Sequence, residues 1–399
     1  MTRHTPCRYE TLLPEAATER RVLAGGRELS DMKHIRPMDA VVALYSDSEH
    51  ELSEAIIASL SRAIFGGEYF KPAGPAKRAM ARVSHRILKW TTHCRKPKGE
   101  KYEGGAYDNP ILERSGHPYA RALLDSSRRE AESLVEGGDP MNGPYMMIPP
   151  EILRAGTIWD RIFLNSVQGK DVQLRFIWET QATYDAVRSR LKNGGVVRLK
   201  AIAAGTGLSV IVAYDRLIRD GYDPARIMVR ITDREKANVE KTCRILAKLG
   251  STRGRAPDAK FEGGISAGIE DIFEEKSGRG TTLAAQYDVV TAVGILEYLQ
   301  GFTCGTTERR LHLEQPEEAA TAQILASRLD GMTTDSAALI VNTFRPHSST
   351  RILELFGRRF DYRNRENLSA LLAPAHFRAP RLVGSGNIYD VEVYEKGAC

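Results

Sequence analysis

The sequence has few cysteines and no long apolar run, and both absences limit what the protein can be. Its 399 residues include five scattered cysteines, with no Cys-x-x-Cys pair: Cys7, Cys94, Cys243, Cys304 and Cys399. An odd number of separated thiols predicts neither a disulfide framework nor a zinc site, and is typical of a reduced, cytoplasmic protein. No apolar stretch reaches the ~18–20 residues that a membrane helix needs. Residues 1–10 carry charges and Pro6 in place of a secretory signal core. We therefore expect a cytoplasmic protein with no membrane partner.

The excess of positive over negative charge is also small. The chain has 57 Lys and Arg against 51 Asp and Glu, a net charge of +6, and its 42% apolar content excludes a disordered chain. The nine histidines are dispersed, so no metal is expected. In the most basic segment, 77–101, Arg78, Arg82 and Arg86 recur every four residues on one helix face. That stripe fits either RNA phosphates or a solvated surface; we favour the surface, because no aromatic residues alternate with the charges.

The chain changes character near residue 195. Before it, apolar residues recur at helical spacing, and helices are predicted at 51–60, 80–90 and 120–135. Segments rich in Gly and Pro separate them. We predict a loose segment over 1–30 and an all-helical cap over 31–171 that contributes to the substrate region.

After residue 195 the pattern alternates between strand and helix. Strands are predicted at 195–203, 227–232, 287–293 and 337–342, and helices at 208–220 and 235–249. Two further runs, 381–384 and 388–394, flank the turn residues Ser385-Gly386-Asn387 and predict an antiparallel hairpin. Parallel strand–helix units that end in such a hairpin predict an α/β fold with an open, doubly wound, mostly parallel sheet.

Two strand ends carry candidate ligand-binding residues. The first strand leads into Ile202-Ala203-Ala204-Gly205-Thr206-Gly207 and then directly into a helix, which lets the backbone approach a ligand. The second strand ends at Asp233, where a carboxylate can accept from both hydroxyls of a ribose. Each feature has a structural alternative, a common strand–helix turn for the glycines and a helix N-cap for Asp233. A dinucleotide motif fails, because Val210 stands where its third glycine belongs.

The loop resembles the first motif of the class I S-adenosylmethionine (SAM)-dependent methyltransferases. Gly205 and Gly207 match two glycines of that motif, while Ala203 replaces the first glycine and Ala201 the usual acid. The resemblance covers about residues 172 to 397. It implies a Rossmann-like SAM-binding domain over 172–399, with a seven-stranded sheet and SAM as cosubstrate.

The resemblance also implies roles for individual residues. It places Ala203, Gly205, Thr206 and Gly207 along SAM, Asp233 on its ribose and Asp271 on its adenine. Asp288 opens the strand of the family's fourth motif, and the loop beyond it, 294–299, faces the transferred group.

The helix before the first strand supplies further candidates. Arg175 and Glu179, with Gln181, offer partners for the carboxylate and amine of the methionine end of SAM. The alternative is an amphipathic helix that packs its aromatic residues on the sheet and leaves its polar residues solvated, and we favour this alternative.

Two chemistries fit one SAM site. Methyl transfer to a small molecule in specialised metabolism is our first prediction, with Tyr298 and Glu297 as catalytic candidates just past the fourth strand. The second is attack on the methionine-side carbon with release of methylthioadenosine, by an aminocarboxypropyl transferase or by a cyclase. Azetidine-2-carboxylate synthases are such cyclases, and they resemble this chain in outline. There Tyr184 or Glu179 would steady or deprotonate the amine.

The remaining alternatives concern partners and activity. An RNA methyltransferase is a third possibility, and a degenerate, non-enzymatic fold, suggested by Ala201 and Ala203, is a fourth. We expect a small-molecule substrate, or SAM as sole substrate, and no nucleic-acid partner; a homodimer stays open.

Overall fold

The structure is a computed structural model that describes residues 35–45, 50–66, 73–95, 106–117, 120, 145–148, 155–249, 264–272, 286–298, 321–354 and 360–397. Its helices are α1 (Pro37–Tyr45), α2 (His50–Phe65), α3 (Pro75–Thr91), α4 (Pro110–Arg114), α5 (Ile158–Leu164), α6 (Val167–Lys192), α7 (Leu208–Arg219), α8 (Lys236–Lys248), α9 (Thr321–Met332), α10 (Ser348–Glu354) and α11 (Arg365–Leu372). Its strands are β1 (His93–Arg95), β2 (Ala106–Asp108), β3 (Val197–Ala201), β4 (Ile227–Asp233), β5 (Gly264–Ile269), β6 (Tyr287–Thr291), β7 (Thr333–Asn342), β8 (Phe377–Ser385) and β9 (Asp390–Lys396).

Seven strands form the main sheet, in the order β5-β4-β3-β6-β7-β9-β8. Strands β3 to β7 run parallel, and β9 lies antiparallel between β7 and β8. Leu199 of β3 pairs with Val229 on one side and Val289 on the other, so apolar residues of three strands share one face. The strand order reverses between β3 and β6, and ligands of such sheets bind at that crevice, beyond the carboxyl ends of the strands. The predicted doubly wound sheet with its closing antiparallel hairpin is confirmed.

Helices cover both faces of this sheet. On one face α6, α7 and α8 bury a core with β3, β4 and β5, in which Ile211, Tyr214 and Ile231 are almost fully enclosed. On the other face α9 and α11 pack on β6 and β7 through residues such as Leu325 and Leu368. Because α6 precedes β3 and α7 follows it, the start of α6 and the start of α7 both lie at the carboxyl edge of the sheet.

Two N-terminal helices form a third layer outside this core. α1 and α2 pack on α7, α8 and α6 and share their apolar core. The buried ammonium of Lys248, at the end of α8, donates to the carbonyl oxygens of Ala43 (2.6 Å) and Leu44 (3.1 Å) and to the hydroxyl of Ser53 (3.1 Å). A cation at the carboxyl end of α1 satisfies carbonyls that the helix itself leaves without donors. These two helices therefore lie behind the sheet, against the helical layer.

The rest of the N-terminal region is arranged differently. α3 has no buried residue and packs mainly on α10 and the start of α6. The short strands β1 and β2 pair in an antiparallel sheet, His93 with Asp108, so the region predicted to be all-helical contains a two-stranded sheet. Three-residue strands give too short a pattern to separate from loop. The predicted segment 1–30 and nearly all of the predicted helix 120–135 lie outside the described residues.

The predicted boundaries in the second half are close to the observed ones, with one omission. The strand β5, Gly264–Ile269, was predicted only through the seven-stranded family resemblance, because its sequence Gly-Ile-Ser-Ala-Gly-Ile has two glycines and little β-branching. No helix in the described ranges is long and apolar enough to cross a bilayer.

Candidate functional site

The loop between β3 and α7 has a tightly constrained backbone. Ala203, Gly205 and Gly207 all have positive φ, at 47°, 57° and 60°. A Cβ on Gly207 would lie 2.6 Å from Cγ2 of Ile231, so this position needs glycine both for its conformation and for its close approach to β4. A Cβ on Gly205 would meet no heavy atom within 4 Å, so the loop faces open space there. Ala203 holds a left-handed conformation at a cost of roughly 1–2 kcal/mol, which explains why glycine suits that position.

Asp233, at the end of β4, braces this loop. Its Oδ2 accepts from the backbone N–H of Gly205 at 2.8 Å. Its Oδ1 accepts from the N–H of Glu235 at 2.9 Å and from the amide of Asn238 at 3.1 Å. The carboxylate is 6% exposed. The structural alternative for Asp233, a contact that starts the following helix, is therefore present, and the same side chain also reaches the glycine loop.

Glu179 of α6 faces the loop from the other side of the crevice. Its Oε1 accepts from the hydroxyl of Thr291, the last residue of β6, at 2.9 Å. Burial raises the pKa of the Glu179 carboxyl, while the charge of Arg175 and hydrogen bonds from Thr291 and Ser209 partly oppose that rise. Since Ser209 lies at the start of α7, this carboxyl group connects α6, β6 and α7 at the reversal of strand order.

Arg175 lies one helical turn before Glu179 and forms a buried ion pair. Its Nη1 is 3.0 Å from Oε1 of Glu297, which is 2% exposed, and its guanidinium lies 4.6 Å from the ring centroid of Tyr389. A Cβ on Gly294 would lie 3.3 Å from the same Nη1. A glycine at that position thus leaves room for the guanidinium beside the loop after β6.

Asn342, the last residue of β7, completes the arrangement. Its Oδ1 accepts from the N–H of Gly294 at 2.7 Å, and its Nδ2 lies 3.5 Å from Oε2 of Glu297. Neither Asn342 nor Thr291 was predicted as a site residue. A signal was present in the sequence, because each is a polar residue that ends an apolar strand, as Asp233 is.

The ends of the other parallel strands carry further charged residues. Asp271 lies two residues past β5 and is half-buried. Its neighbour Glu270 accepts a hydrogen bond from the buried Lys200 of β3, with Nζ to Oε1 at 2.5 Å, and its N–H donates to the carbonyl of Asp233 at 3.0 Å. Asp271 thus lies at the same edge of the sheet as Asp233.

Three predicted residues are placed elsewhere or only partly described. Tyr184 lies at the opposite edge of the sheet, where its hydroxyl donates to Oδ2 of Asp220 at 2.5 Å. Gln181 donates to the carbonyl of Ile64 in α2 at 3.1 Å and so faces away from the crevice. Tyr298 ends the 3₁₀ turn Leu296–Tyr298, and its side chain lies outside the described residues.

The structure thus brings together Arg175, Glu179 and Glu297 with the loop from Ala203 to Gly207, including Thr206, and Asp233. The polar row and the apolar row of α6 are both present: Phe176 and Ile177 are buried, while Arg175 and Glu179 face the strand ends. Among the described residues, no group of three His, Cys, Asp or Glu side chains is arranged to hold a metal ion.

No protein-family model matches the sequence, and no curated protein matches it. Solved structures similar to this chain include the magnesium protoporphyrin IX methyltransferase of Synechocystis PCC 6803 with bound SAM, at 14% identity and TM-score 0.34, covering 57% of this chain and 83% of that one. A possible exported protein from Bordetella parapertussis is 13% identical, with TM-score 0.47 and coverage of 88% and 99%. The CMeT domain of the citrinin polyketide synthase is 10% identical, with TM-score 0.41 and coverage of 93% and 94%.

The seven strands, the antiparallel ending and the position of the loop after β3 are those that the resemblance implied. The doubly wound α/β sheet that the resemblance implied is confirmed.

Proposed function

We propose that this chain binds SAM at the carboxyl edge of the sheet and transfers its methyl group to a small-molecule acceptor in specialised metabolism. The observation that carries the proposal is the pairing of an open glycine loop with Arg175 and Glu179 across one crevice. The loop leaves open space at Gly205. The α6 residues offer a cation and a carboxyl group, the two partners that an amino-acid end requires.

The residues fit the adenosyl end of SAM as well. A carboxylate has about four acceptor sites, and Asp233 uses three of them on Gly205, Glu235 and Asn238. One site is left for a ribose hydroxyl without breaking the contacts that hold the loop. Asp271, on the next strand end, is the proposed adenine partner. Thr206 and Ala203 would line the same molecule through their backbone.

Arg175 and Glu179 are assigned to the methionine end. The guanidinium of Arg175 would bind the carboxylate, while Glu297 holds that guanidinium in place from its buried position. Glu179 would accept from the amine. This arrangement replaces the acid that the usual motif has where this chain has Ala201. We therefore treat Glu297 as a positioning residue, although it was predicted as a catalytic one.

SAM supplies an electrophilic methyl group on a positively charged sulfur. The chain's part in methyl transfer is then to hold the acceptor atom in line with that carbon and to exclude water, which are effects of position more than of acid–base chemistry. Tyr298, close after β6, stays our proposal for a wall of the acceptor pocket. The bond from Tyr184 to Asp220 supports a packing role for that tyrosine between α6 and α7.

One observation favours the alternative chemistry, cyclisation with release of methylthioadenosine. Burial raises the pKa of Glu179, so its carboxylate is a stronger base than an exposed one. Beside the amine, Glu179 could take up a proton while the nitrogen forms a bond to the γ-carbon of the same SAM and the bond from that carbon to sulfur breaks. The aminocarboxypropyl transfer differs only in that a second molecule supplies the nucleophile.

The basic residues of α3 are the observation that would favour RNA as the acceptor. In the described part of the chain, Arg78 and Arg82 of that stripe line a cleft with residues of α10, while Arg86 lies outside it. That placement supports a small-molecule acceptor over RNA.

Incubation of the purified protein with SAM alone tests the proposal and separates the two chemistries. Calorimetric titration with SAM should give saturable binding, and mass spectrometry should then find SAM intact in the absence of an acceptor. Methylthioadenosine formed above the rate without protein would replace methyl transfer by cyclisation. Absence of SAM binding at millimolar concentration would overturn the enzyme proposal and leave the degenerate fold.

A further inference from the structure

A cleft lies between the N-terminal helix α3 and the segment that follows β7. It has a volume of about 360 Å³ and is lined by Arg78, Arg82, Pro346, His347, Ser348 and Arg351. We call it the arginine cleft. Two guanidinium groups come from α3 and one from α10, so two elements that are distant in sequence build one basic surface.

The arginine cleft is rich in positive charge. No carboxylate in the described part of the chain pairs with Arg82 or Arg351. Arg78 donates to the amide oxygen of Asn387, a neutral group, at 3.3 Å. Three guanidiniums facing one volume suit a carboxylate or a phosphate.

One acidic group whose charge acts on the cleft already accepts hydrogen bonds. Asp171, at the start of α6, is fully buried; its Oδ2 accepts from the N–H of Ile388 at 2.5 Å and its Oδ1 from the amide of Asn387 at 3.1 Å. Asp171 thus fixes the turn between β8 and β9 through hydrogen bonds from two neutral donors.

The arginine cleft and the proposed SAM site lie beside residues on the same face of α6. Asp171, whose charge acts on His347 in the cleft, is followed on one face of α6 by Arg175 and Glu179 at four-residue intervals. Eight helical residues span about 12 Å. His347 also follows Asn342, which bonds to Gly294 and Glu297, after only four intervening residues. The cleft and the crevice are therefore linked to the same helix, α6, and to the same segment after β7.

We propose that the arginine cleft binds an anionic group, a carboxylate or a phosphate, on the molecule that receives the methyl group. The inference rests on the proposed function, because it names the chemistry of that acceptor. It predicts an acceptor that carries an anionic group apart from its methyl-accepting atom. It also predicts that SAM binding does not depend on the cleft.

The test uses full-length protein, with inorganic phosphate and succinate as probes followed by calorimetry. The variant combines Arg82→Gln with Arg351→Gln; the matched control combines Arg86→Gln with Lys89→Gln, which removes two exposed positive charges from α3 outside the cleft. We expect the cleft variant to weaken binding of at least one anion tenfold or more and the control to change it less than twofold. SAM affinity and the thermal unfolding midpoint should be unchanged in both.

An acceptor screen in matched pairs distinguishes the two anion sources. Each carboxylic acid is tested beside its amide, and each phosphate monoester beside its parent alcohol. We expect the anionic member to be methylated and the cleft variant to raise its KM at least tenfold with little change in kcat.

Several outcomes would overturn the inference. The inference fails if anions bind the cleft variant as tightly as they bind the wild type. It also fails if the neutral member of each pair is methylated. In both cases SAM binding would leave the proposed function intact. Failure of SAM to bind the wild type would overturn the proposed function and the acceptor assignment together. RNA binding that depends equally on Arg86 and Lys89 would replace the cleft by a nucleic-acid surface.

Discussion

The two edges of the main sheet carry similar polar side chains and use them differently. At the edge where the parallel strands begin, polar groups pair with one another: Tyr184 with Asp220, and Arg190 with Glu395 at 3.0 Å. At the edge where they end, Glu179 and Asp233 lie on either side of a loop whose Gly205 faces open space. The same helix, α6, contributes to both edges.

The difference teaches that residue type does not decide between packing and binding. Tyr184 and Glu179 are five residues apart on α6, and both are largely buried ionisable groups whose pKa burial raises. One lies beside the carboxyl end of α7, where a partner closes it off. The other lies beside the start of α7, where the strand order reverses and room for a ligand remains. The predictions below therefore set changes at one edge against changes at the other.

The largest effect is expected for Gly207→Ala. The new Cβ would have to occupy a left-handed conformation and would lie 2.6 Å from Ile231. Left-handed strain and overpacking together predict a loss of about 3 kcal/mol in the free energy of unfolding. Urea denaturation measures it. Gly221→Ala, with positive φ at the other edge and open space around its Cβ, is the control and should lose only about 1 kcal/mol. If Gly207→Ala and Gly221→Ala lose equal free energies of unfolding, Gly207 does not lie close enough to β4 for the added Cβ to clash.

Gly205→Val should act on the ligand more than on the fold. Its side chain would project where no heavy atom lies within 4 Å, so the fold should lose only the left-handed strain of roughly 1–2 kcal/mol. SAM should bind at least 100-fold more weakly, because the side chain would fill the space opposite Glu179. Calorimetric titration checks this. Normal SAM affinity in a folded variant would remove the loop from the proposed site.

Asp233→Asn should have a smaller effect on the same ligand. It removes the charge that receives the N–H of Gly205 and is proposed to receive a ribose hydroxyl. Hydrogen bonds to a charged acceptor are worth about 1.5 kcal/mol, so SAM affinity should fall at least tenfold. Asp220→Asn is the matched change at the other edge and should leave SAM affinity within twofold. If Asp233→Asn binds SAM as tightly as the wild type does, Asp233 only holds the loop in place and does not bind the ribose.

The sequence predicted the strand ends better than the partners found there. β3, β4 and β6 and the loop from Ala203 to Gly207 follow from apolar runs that end in glycine or a polar residue, and Asp233 follows from the same pattern. The contact of Asp233 with Gly205 could not be predicted, because it depends on the parallel register that sets Ala201 beside Ile231. The apolar pattern did not predict β5, because glycines have a low preference for strands.

Helix faces were harder to assign than strands. The residues of α6 are spaced so that Glu179 and Tyr184 both belong to a largely buried helix. Only the packing of α7 shows that one faces Thr291 and the other faces Asp220. The ion pair of Arg175 with Glu297 joins residues 122 positions apart, and no local spacing encodes such a pair.

The last prediction compares Glu179 with Tyr184 through the pH dependence of stability and of SAM binding. Burial raises the pKa of Glu179, so the folded protein holds that proton more tightly than the unfolded chain does. The stability from this group is complete below the unfolded pKa of about 4.3 and is lost as pH rises through the folded value. Glu179→Gln, neutral throughout, should therefore gain in stability relative to the wild type as pH rises above that unfolded value.

SAM binding should respond in the opposite direction at the same residue. If Glu179 accepts from the amine, the wild type should bind SAM more tightly as pH rises through its raised pKa, and Glu179→Gln should bind weakly with no such rise. Tyr184→Phe should lose about 1 kcal/mol of stability with its bond to Asp220 and should keep the wild-type pH dependence of SAM affinity. If both variants keep that dependence, Glu179 does not hold the amine; if both lose it, the two edges are coupled through α6 and the comparison between them fails.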